Sequence, residues 1–408
     1  MSDKKIESLD AYVVRQPIYD SNLNVFAYEL LYRSGSGGNF AGDIDGNLAT
    51  SQVIINSLIN IGLENIVGNR LAFFNMTRDF IVGKNPIPFN SDKIILEILE
   101  DVEADDEVVN SVKDLVDQGY VFALDDFVFH EGVEPLIPFA SIIKVEFPAL
   151  KQHEVIDHVN KLRRFNVKLL AEKVETQEEF DFCKKLGFDY YQGYFFCKPK
   201  IIKGRRIPSN RISTMRVLAE LQNPDVSVND LEKIISQDVT LSFKILRCVN
   251  SAAFSISRKV ESIKKAVVYL GLTNIKRWAT LIVLSGMDDK PQELIVTSLI
   301  RSKMCELLGE KLKYQEIDSC STVGLFSILD ALMDAPMDEL LSKLPLSVDV
   351  NDALMSNKGT LGKIIKCVIA YEQGIWDETN DLNLDVSVLS QCYVESLQWA
   401  DELTNDLF

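Results

Sequence analysis

The sequence is poor in the residues on which several common protein classes depend. It contains three histidines, His130, His153 and His158, and all of them precede residue 200. A histidine-based metal site in the second half is therefore excluded by composition. The seven cysteines are scattered, odd in number and without a C-x-x-C pair. We expect neither a disulfide framework nor a zinc ribbon, and the cysteines should be small buried residues in a reducing compartment.

Long apolar segments and positive charge are also scarce. No apolar run approaches the roughly 20 residues that cross a bilayer, and the first ten residues, MSDKKIESLD, lack the apolar segment of a secretion signal. We therefore expect a cytoplasmic protein that does not enter a membrane. The formal net charge of −17 argues against nonspecific binding to nucleic acid or to anionic membranes. A phosphate-bearing ligand would need local help from metal ions, arginine or lysine.

The pattern of apolar residues changes once along the chain. Residues 12–33 predict a β-hairpin with its turn at residues 20–22. Apolar strands then alternate with amphipathic helices, which favours a parallel, fully covered sheet with enough units to close into a barrel. After a basic linker at residues 200–210 only helical patterns follow, and Asn229 with Asp230 should cap the second helix. We predict a (β/α)8 barrel in residues 1–203 and an all-helical domain in residues 204–408.

Polar side chains end six successive predicted strands of the barrel. They are Asn75, Glu97, Asp125 with Asp126, Lys144, Glu172 and Gln192. Any one of them alone could be the first polar residue after a buried strand, but the set is typical of the catalytic face of a barrel. Carboxylate and amide oxygens are hard ligands that suit Mg²⁺ or Mn²⁺ better than zinc. Two such ions can activate water and neutralise a phosphodiester.

The predicted hairpin supplies two further candidate site residues, one with a carboxylate and one with a guanidinium group. Glu29 and Arg33 lie close to a strand end and could face one pocket, although a solvated surface ion pair is the commoner arrangement for such residues taken alone. Residues 28–33 (YELLYR), 171–176 (AEKVET) and 190–196 (YYQGYFF) resemble the motifs of EAL-type cyclic-di-GMP phosphodiesterases. The resemblance extends over about residues 12–200.

This resemblance implies a role for each matched residue. The metal-site residues would be Glu29, Asn75, Glu97, Asp125, Asp126 and Glu172, with Asp126 on the second of two ions. Lys144 would orient or deprotonate the attacking water, Gln192 would position it, and Glu172 would complete the catalytic set. Arg33 would hold a ligand phosphate by bidentate donation. Glu100 and Glu175 match supporting carboxylates.

Three features depart from the family pattern. Leu30 stands where the family usually has Ala, and Glu146 replaces the usual Asp. Residues 127–134 (FVFHEGVE) are apolar and acidic, whereas the family has a Gly-, Thr- and Ser-rich loop that couples dimerisation to metal binding. An alternative hypothesis is therefore a receptor that binds c-di-GMP, or a protein partner, without hydrolysis. A homodimer is left open.

The second half resembles an HDOD domain, a helical signalling module related to HD-type metal phosphohydrolases. The matching segments are residues 234–254, 262–278 and 324–332. Hydrolytic relatives would carry a His-Asp pair in the last segment, where this chain has Ser327 and Ile328. The resemblance implies a non-catalytic domain that binds a protein partner. For the whole chain we therefore expect a c-di-GMP phosphodiesterase that uses Mg²⁺ or Mn²⁺ and forms linear pGpG. The alternative is the receptor that binds c-di-GMP, or a protein partner, without hydrolysis.

Overall fold

The computed structural model describes residues 11–34, 62–83, 87, 89–125, 134–146, 152–197, 209–237, 239–250, 260–285 and 290–407. Its eight strands are β1 (Ala11–Asp20), β2 (Val25–Ser34), β3 (Leu71–Met76), β4 (Ile94–Ile98), β5 (Val121–Leu124), β6 (Ile142–Glu146), β7 (Lys168–Glu172) and β8 (Tyr190–Gln192). They form a closed barrel in chain order. β1 is antiparallel to β2 and to β8, and the other neighbours are parallel. The predicted barrel is confirmed, with one strand reversed.

The reversal of β1 follows from a tight turn. Asp20 accepts hydrogen bonds from the backbone N–H groups of Asn22 and Asn24 at 2.8 and 2.9 Å, and Leu23 takes a positive φ of 63°. An aspartate that bonds to the backbone of its own turn is a common way to start a reversal. The predicted hairpin is therefore present, and β1 pairs with β2 along its length.

One layer of apolar side chains fills the barrel interior. Its members are Ile18, Ala27, Phe73, Ile95, Ala123, Ile142 and Leu170, all nearly inaccessible to solvent, with Tyr190 packed against them. Since side chains alternate between the two faces of a strand, the residue two positions further on also points into the barrel. Toward the carboxyl ends of the parallel strands, that next layer is polar. The apolar layer is thus the floor on which the candidate site lies.

Short helices connect the strands. They are α1 (Leu63–Val67), α2 (Arg78–Ile81), α3 (Asp106–Asp117), α4 (Gln152–Leu162) and α5 (Gln177–Leu186), with 3-10 turns at Glu134–Phe139 and Phe195–Cys197. α5 begins with a capping box between Thr176 and Glu179 and ends at Gly187, whose φ is 82°. These caps define the short connection that links β7 to β8.

Beyond residue 208 the described residues contain no strand. The helices are α6 (Ser209–Gln222), α7 (Val228–Ser236), α8 (Val239–Val249), α9 (Ile263–Leu270), α10 (Leu272–Ser285), α11 (Gln292–Lys311), α12 (Ile317–Phe326), α13 (Leu329–Met333), α14 (Met337–Leu341), α15 (Val348–Ser356), α16 (Gly359–Gln373) and α17 (Val386–Leu407), with a 3-10 segment at Trp376–Leu382. The expected cap of α7 is wrong. Ser227 is the N-cap, and Asp230 is its partner in a capping box, because each side chain accepts the other's backbone N–H.

The chain divides into two compact units. One contains Met1–Phe195 with Glu372–Asp377 and Asp385–Ser390, and the other contains the remainder. The predicted boundary between residues 203 and 204 lies outside the described residues and stays a prediction. Within the described part of the chain, no helix is long and apolar enough to cross a membrane.

Candidate active site

A ring of polar side chains lies directly above the apolar floor of the barrel. Each member is two residues from a floor residue or, for the last one, from Tyr190: Gln16, Glu29, Asn75, Glu97, Asp125 (one residue beyond β5), Lys144, Glu172 and Gln192. Backbone register places them side by side, with Gln16 opposite Glu29 and Asn75 opposite Glu97. The structure therefore brings together most of the residues that the sequence proposes for a metal site, and it adds Gln16.

Lys144 lies at the centre of this ring. Its Nζ is 2.6 Å from Glu172, 2.9 Å from Asp125 and 3.5 Å from Glu29, and it also contacts a carboxylate oxygen of Glu97. The Lys144 side chain is 1% exposed and that of Glu97 is fully buried. Four carboxylates surround a single ammonium, so negative charge exceeds positive charge in a place that water barely reaches.

Burial, together with the neighbouring charges, shifts the pKa values of the cluster. Burial raises the pKa of Glu97 well above its usual range, and Lys144 opposes that shift. Burial also raises the pKa of Glu172, to about 8, again against the effect of Lys144. For Lys144, burial favours the neutral amine, but the surrounding carboxylates outweigh it and raise the pKa. The cluster is therefore poised to take up positive charge.

Gln192 is held by two hydrogen bonds at the edge of the ring. Its Nε2 donates to Glu29 Oε2 at 2.7 Å and to Gln16 Oε1 at 3.2 Å. Both amide hydrogens are thus used, and Gln192 Oε1 accepts no hydrogen bond from the described residues. Gln16 and Glu29 therefore fix which end of this amide is the acceptor.

Gly193 allows β8 to pass close to the segment after β7. A methyl group at its Cα would lie 2.1 Å from the backbone oxygen of Val174 and 2.6 Å from its nitrogen, and φ is 144°. Val174 N donates to Gln192 O at 3.0 Å, and Phe195 N donates to Val174 O at 3.2 Å. Only glycine fits between these two bonds, so Gly193 fixes the backbone that carries Gln192.

The donor set fits a divalent cation. Glu29, Glu97 and Glu172 each offer an oxygen, and these oxygens lie within 4.8 Å of one another. Oxygens that share one ion at about 2.0–2.6 Å lie within roughly 4–5 Å of each other. In addition, Glu97 Oε2 and Glu172 Oε2 are buried and accept no hydrogen bond from the residues that the structure describes. Such oxygens are costly unless a cation or a donor meets them.

A cavity of about 360 Å³ opens above the ring. Its lining residues are Gln16, Glu29, Leu31, Asp125, Lys144, Glu172, Lys173, Glu175, Gln192, Gly193 and Tyr194. Carboxylates, amides and two lysines thus face one space, which could hold a phosphate group and a water molecule beside the carboxylate cluster. Glu175 lines this cavity, whereas Glu100 is exposed after β4 and lies outside the lining.

Three sequence-based expectations fall outside the described residues. Asp126 and the altered loop at residues 127–133 are not described, and neither is the side chain of Arg33, whose backbone lies in β2. Gln16, by contrast, was missed. It lies in the middle of a strand rather than at its end, and its sequence signal is a polar residue two positions before Ile18, next to the charged Arg15.

Comparisons with known proteins agree with this architecture. The family model of the HDOD domain matches residues 207–338, and that of the EAL domain matches residues 153–199. The chain is 33% identical over 403 residues to the protein YuxH of Bacillus subtilis, covering 96% of this chain and 98% of that protein. It is 31% identical over 404 residues to the cyclic di-GMP phosphodiesterase CdgJ of Vibrio cholerae, covering 96% of this chain and 93% of that protein.

Solved structures of EAL proteins also match the chain. A standalone EAL protein from Vibrio cholerae in its c-di-GMP-bound form is 23% identical and covers 47% of this chain and 92% of that chain, with a TM-score of 0.37.

Proposed function

Because this chain belongs to the family of proteins that join an EAL domain to an HDOD domain, we propose that it acts in c-di-GMP signalling. Its barrel would be a phosphodiesterase that depends on Mg²⁺ or Mn²⁺ and cleaves c-di-GMP to linear pGpG. The chain would work in the cytoplasm. The observation that carries the proposal is the buried carboxylate cluster at the carboxyl ends of the barrel strands. The likeness to CdgJ over nearly the whole chain supports the same activity.

In this proposal, different residues would bind the ions, orient the water and hold the phosphate. Glu29, Asn75, Glu97, Asp125 and Glu172, with Asp126, would hold divalent ions. When bound, the ions would neutralise the phosphodiester and activate water for in-line attack. Gln192 lines the cavity, and its Oε1, which accepts no hydrogen bond from the described residues, would orient that water. Arg33 would hold a phosphate oxygen of the ligand.

Two groups in the ring would handle protons. Lys144 lies among carboxylates that raise the pKa of its amine, so it would keep its proton and orient a water or phosphate oxygen by donation. Before an ion binds, burial raises the pKa of Glu172 to about 8, so a divalent ion would bind there in exchange for a proton.

The helical domain would pass the state of the barrel to a protein partner. It carries Ser327 and Ile328 where hydrolytic relatives would have a His-Asp pair. Nucleic acid and membranes are not expected as partners, given the net charge of −17. Assembly into a homodimer stays a prediction.

Turnover by the purified full chain tests the phosphodiesterase. With Mg²⁺ or Mn²⁺, we expect c-di-GMP to disappear and the linear dinucleotide to accumulate, followed by chromatography. Glu172→Gln should lower kcat at least roughly 100-fold, because it removes a charge from the ion site. Glu178→Gln is the matched control, since Glu178 lies on the exposed face of α5.

The same experiment distinguishes the receptor. Calorimetric binding of c-di-GMP with no turnover under either ion would contradict the phosphodiesterase and support a receptor. The receptor would also keep its affinity for c-di-GMP in Glu29→Ala, because it does not depend on a catalytic ion. Neither binding nor turnover would overturn both functions.

A further inference from the structure

Lys144 takes the place in which the carboxylates would hold an ion. Its Nζ contacts Glu29, Glu97 and Glu172, the residues whose oxygens lie within 4.8 Å of one another. An ion shared by those oxygens would lie about 2.0–2.6 Å from each of them. That position overlaps the space that the ammonium nitrogen fills. The ion and the ammonium therefore cannot bind the three glutamates at the same time.

The surroundings allow the ammonium to leave. The carboxylates of the ring outnumber it by four to one, so an ion remains attracted to the cluster when Lys144 moves away. Lysine has a flexible four-carbon stem and an ammonium that is strongly hydrated. The cavity of about 360 Å³ is lined by Lys144 itself and by Gln16, Gly193 and Tyr194. It offers the ammonium a place close to where a ligand phosphate would bind.

We propose that Lys144 is an exchangeable internal counter-ion. A divalent ion displaces its ammonium from the glutamates into the cavity, where the ammonium binds a phosphate group of the cyclic dinucleotide. The ion and the nucleotide then strengthen each other's binding by the same factor, because each favours the displaced position of one side chain. This inference rests on the proposed function for the identity of the nucleotide.

Amine labelling of the unmodified full chain tests the displacement directly. The Lys144 side chain is 1% exposed, whereas that of Lys168, on the neighbouring strand, is 60% exposed. Acetylation followed by mass spectrometry should show slow labelling of Lys144 with a chelator present, and labelling roughly tenfold faster with Mg²⁺ or Mn²⁺. Addition of a phosphorothioate analogue of c-di-GMP should protect Lys144 again. Lys168 should be labelled equally in all three conditions.

Calorimetry on a variant tests the linkage. Lys144→Met should bind Mg²⁺ or Mn²⁺ roughly tenfold more tightly than the unmodified chain, because no internal cation competes. Its affinity for the phosphorothioate analogue should no longer rise when the ion is added. Lys168→Met is the matched control and should keep both the ion affinity and the linkage. If Lys144→Met does not fold, the labelling of the unmodified chain decides alone.

The outcomes separate this inference from the proposed function. Ion binding that leaves Lys144 labelling unchanged, or that shows no linkage to the analogue, would overturn the counter-ion and leave the phosphodiesterase untouched. Displacement and linkage without cleavage of c-di-GMP would keep the counter-ion and overturn the phosphodiesterase. An absence of ion binding would overturn both.

Discussion

Gly193→Ala should strongly destabilise the barrel near the candidate site. The added methyl group would lie 2.1 Å from the backbone oxygen of Val174, so the two segments must separate. Separation weakens two backbone hydrogen bonds, Val174 N to Gln192 O and Phe195 N to Val174 O. With about 1 kcal/mol for each bond and about 2 kcal/mol for overpacking, we expect a loss of about 4 kcal/mol. For a barrel of this size that loss lowers Tm by roughly 10 °C.

Hydrogen–deuterium exchange measures this loss where it occurs. The free energy of opening, taken from amides in Lys168–Glu172 and Tyr190–Gln192, should fall by about 4 kcal/mol. Gly187→Ala is the matched control, since Gly187 also has a positive φ, of 82°, but the nearest atom to an added methyl is Arg163 Nη2 at 3.6 Å. It should lose only about 1 kcal/mol. Equal losses in the two variants would refute the close-packing argument.

Three further predictions concern the ring and a helix cap. With a chelator present, the free energy of unfolding should fall as pH rises from about 4.5 through about 8, because burial raises the pKa of Glu172 and the folded chain holds this proton more tightly than the unfolded chain does. Denaturant titrations across this pH range measure it, and a rise in stability would contradict the prediction. Gln16→Met should lower kcat roughly tenfold with KM unchanged, and should add nothing to Gln192→Met, as a double-mutant cycle of turnover would reveal. Ser227→Ala should cost about 1 kcal/mol by removing the cap that bonds to Asp230, measured by thermal unfolding against the unmodified chain.

The barrel could be predicted from the sequence because each strand is marked by its own run of apolar residues. Apolar runs such as those around Phe73 and Ile95 are buried on both faces, and helical segments with polar faces separate them. The same alternation places the residue two positions beyond a floor residue on the inner face, and in β4 and β7 that residue is Glu97 and Glu172, at or near the strand end. Side-chain periodicity is a property of the strand itself, and it needs no tertiary information.

Cap positions were less predictable for a related reason. Ser227 and Asp230 are both good cap residues, and the sequence does not state which one is the first to leave the helix. The backbone settles it, since Ser227 is extended and Asp230 already lies in the first turn. An error of about one turn leaves α7 in place but assigns the N-cap to Asp230. In the structure Ser227 is the N-cap, and its side chain accepts the backbone N–H of Asp230.

Only the tertiary structure could decide what the ring residues do to one another. Gln16 enters the site because β1 runs against β2 and β8 when the barrel closes, and this pairing joins residues far apart in the chain. The central position of Lys144 has the same origin, as five strands must converge before one ammonium can contact four carboxylates. Sequence thus determined which residues point into the barrel, through the two-residue period of each strand. Barrel closure determined their distances and charge balance, because these depend on strands that meet only in the folded chain.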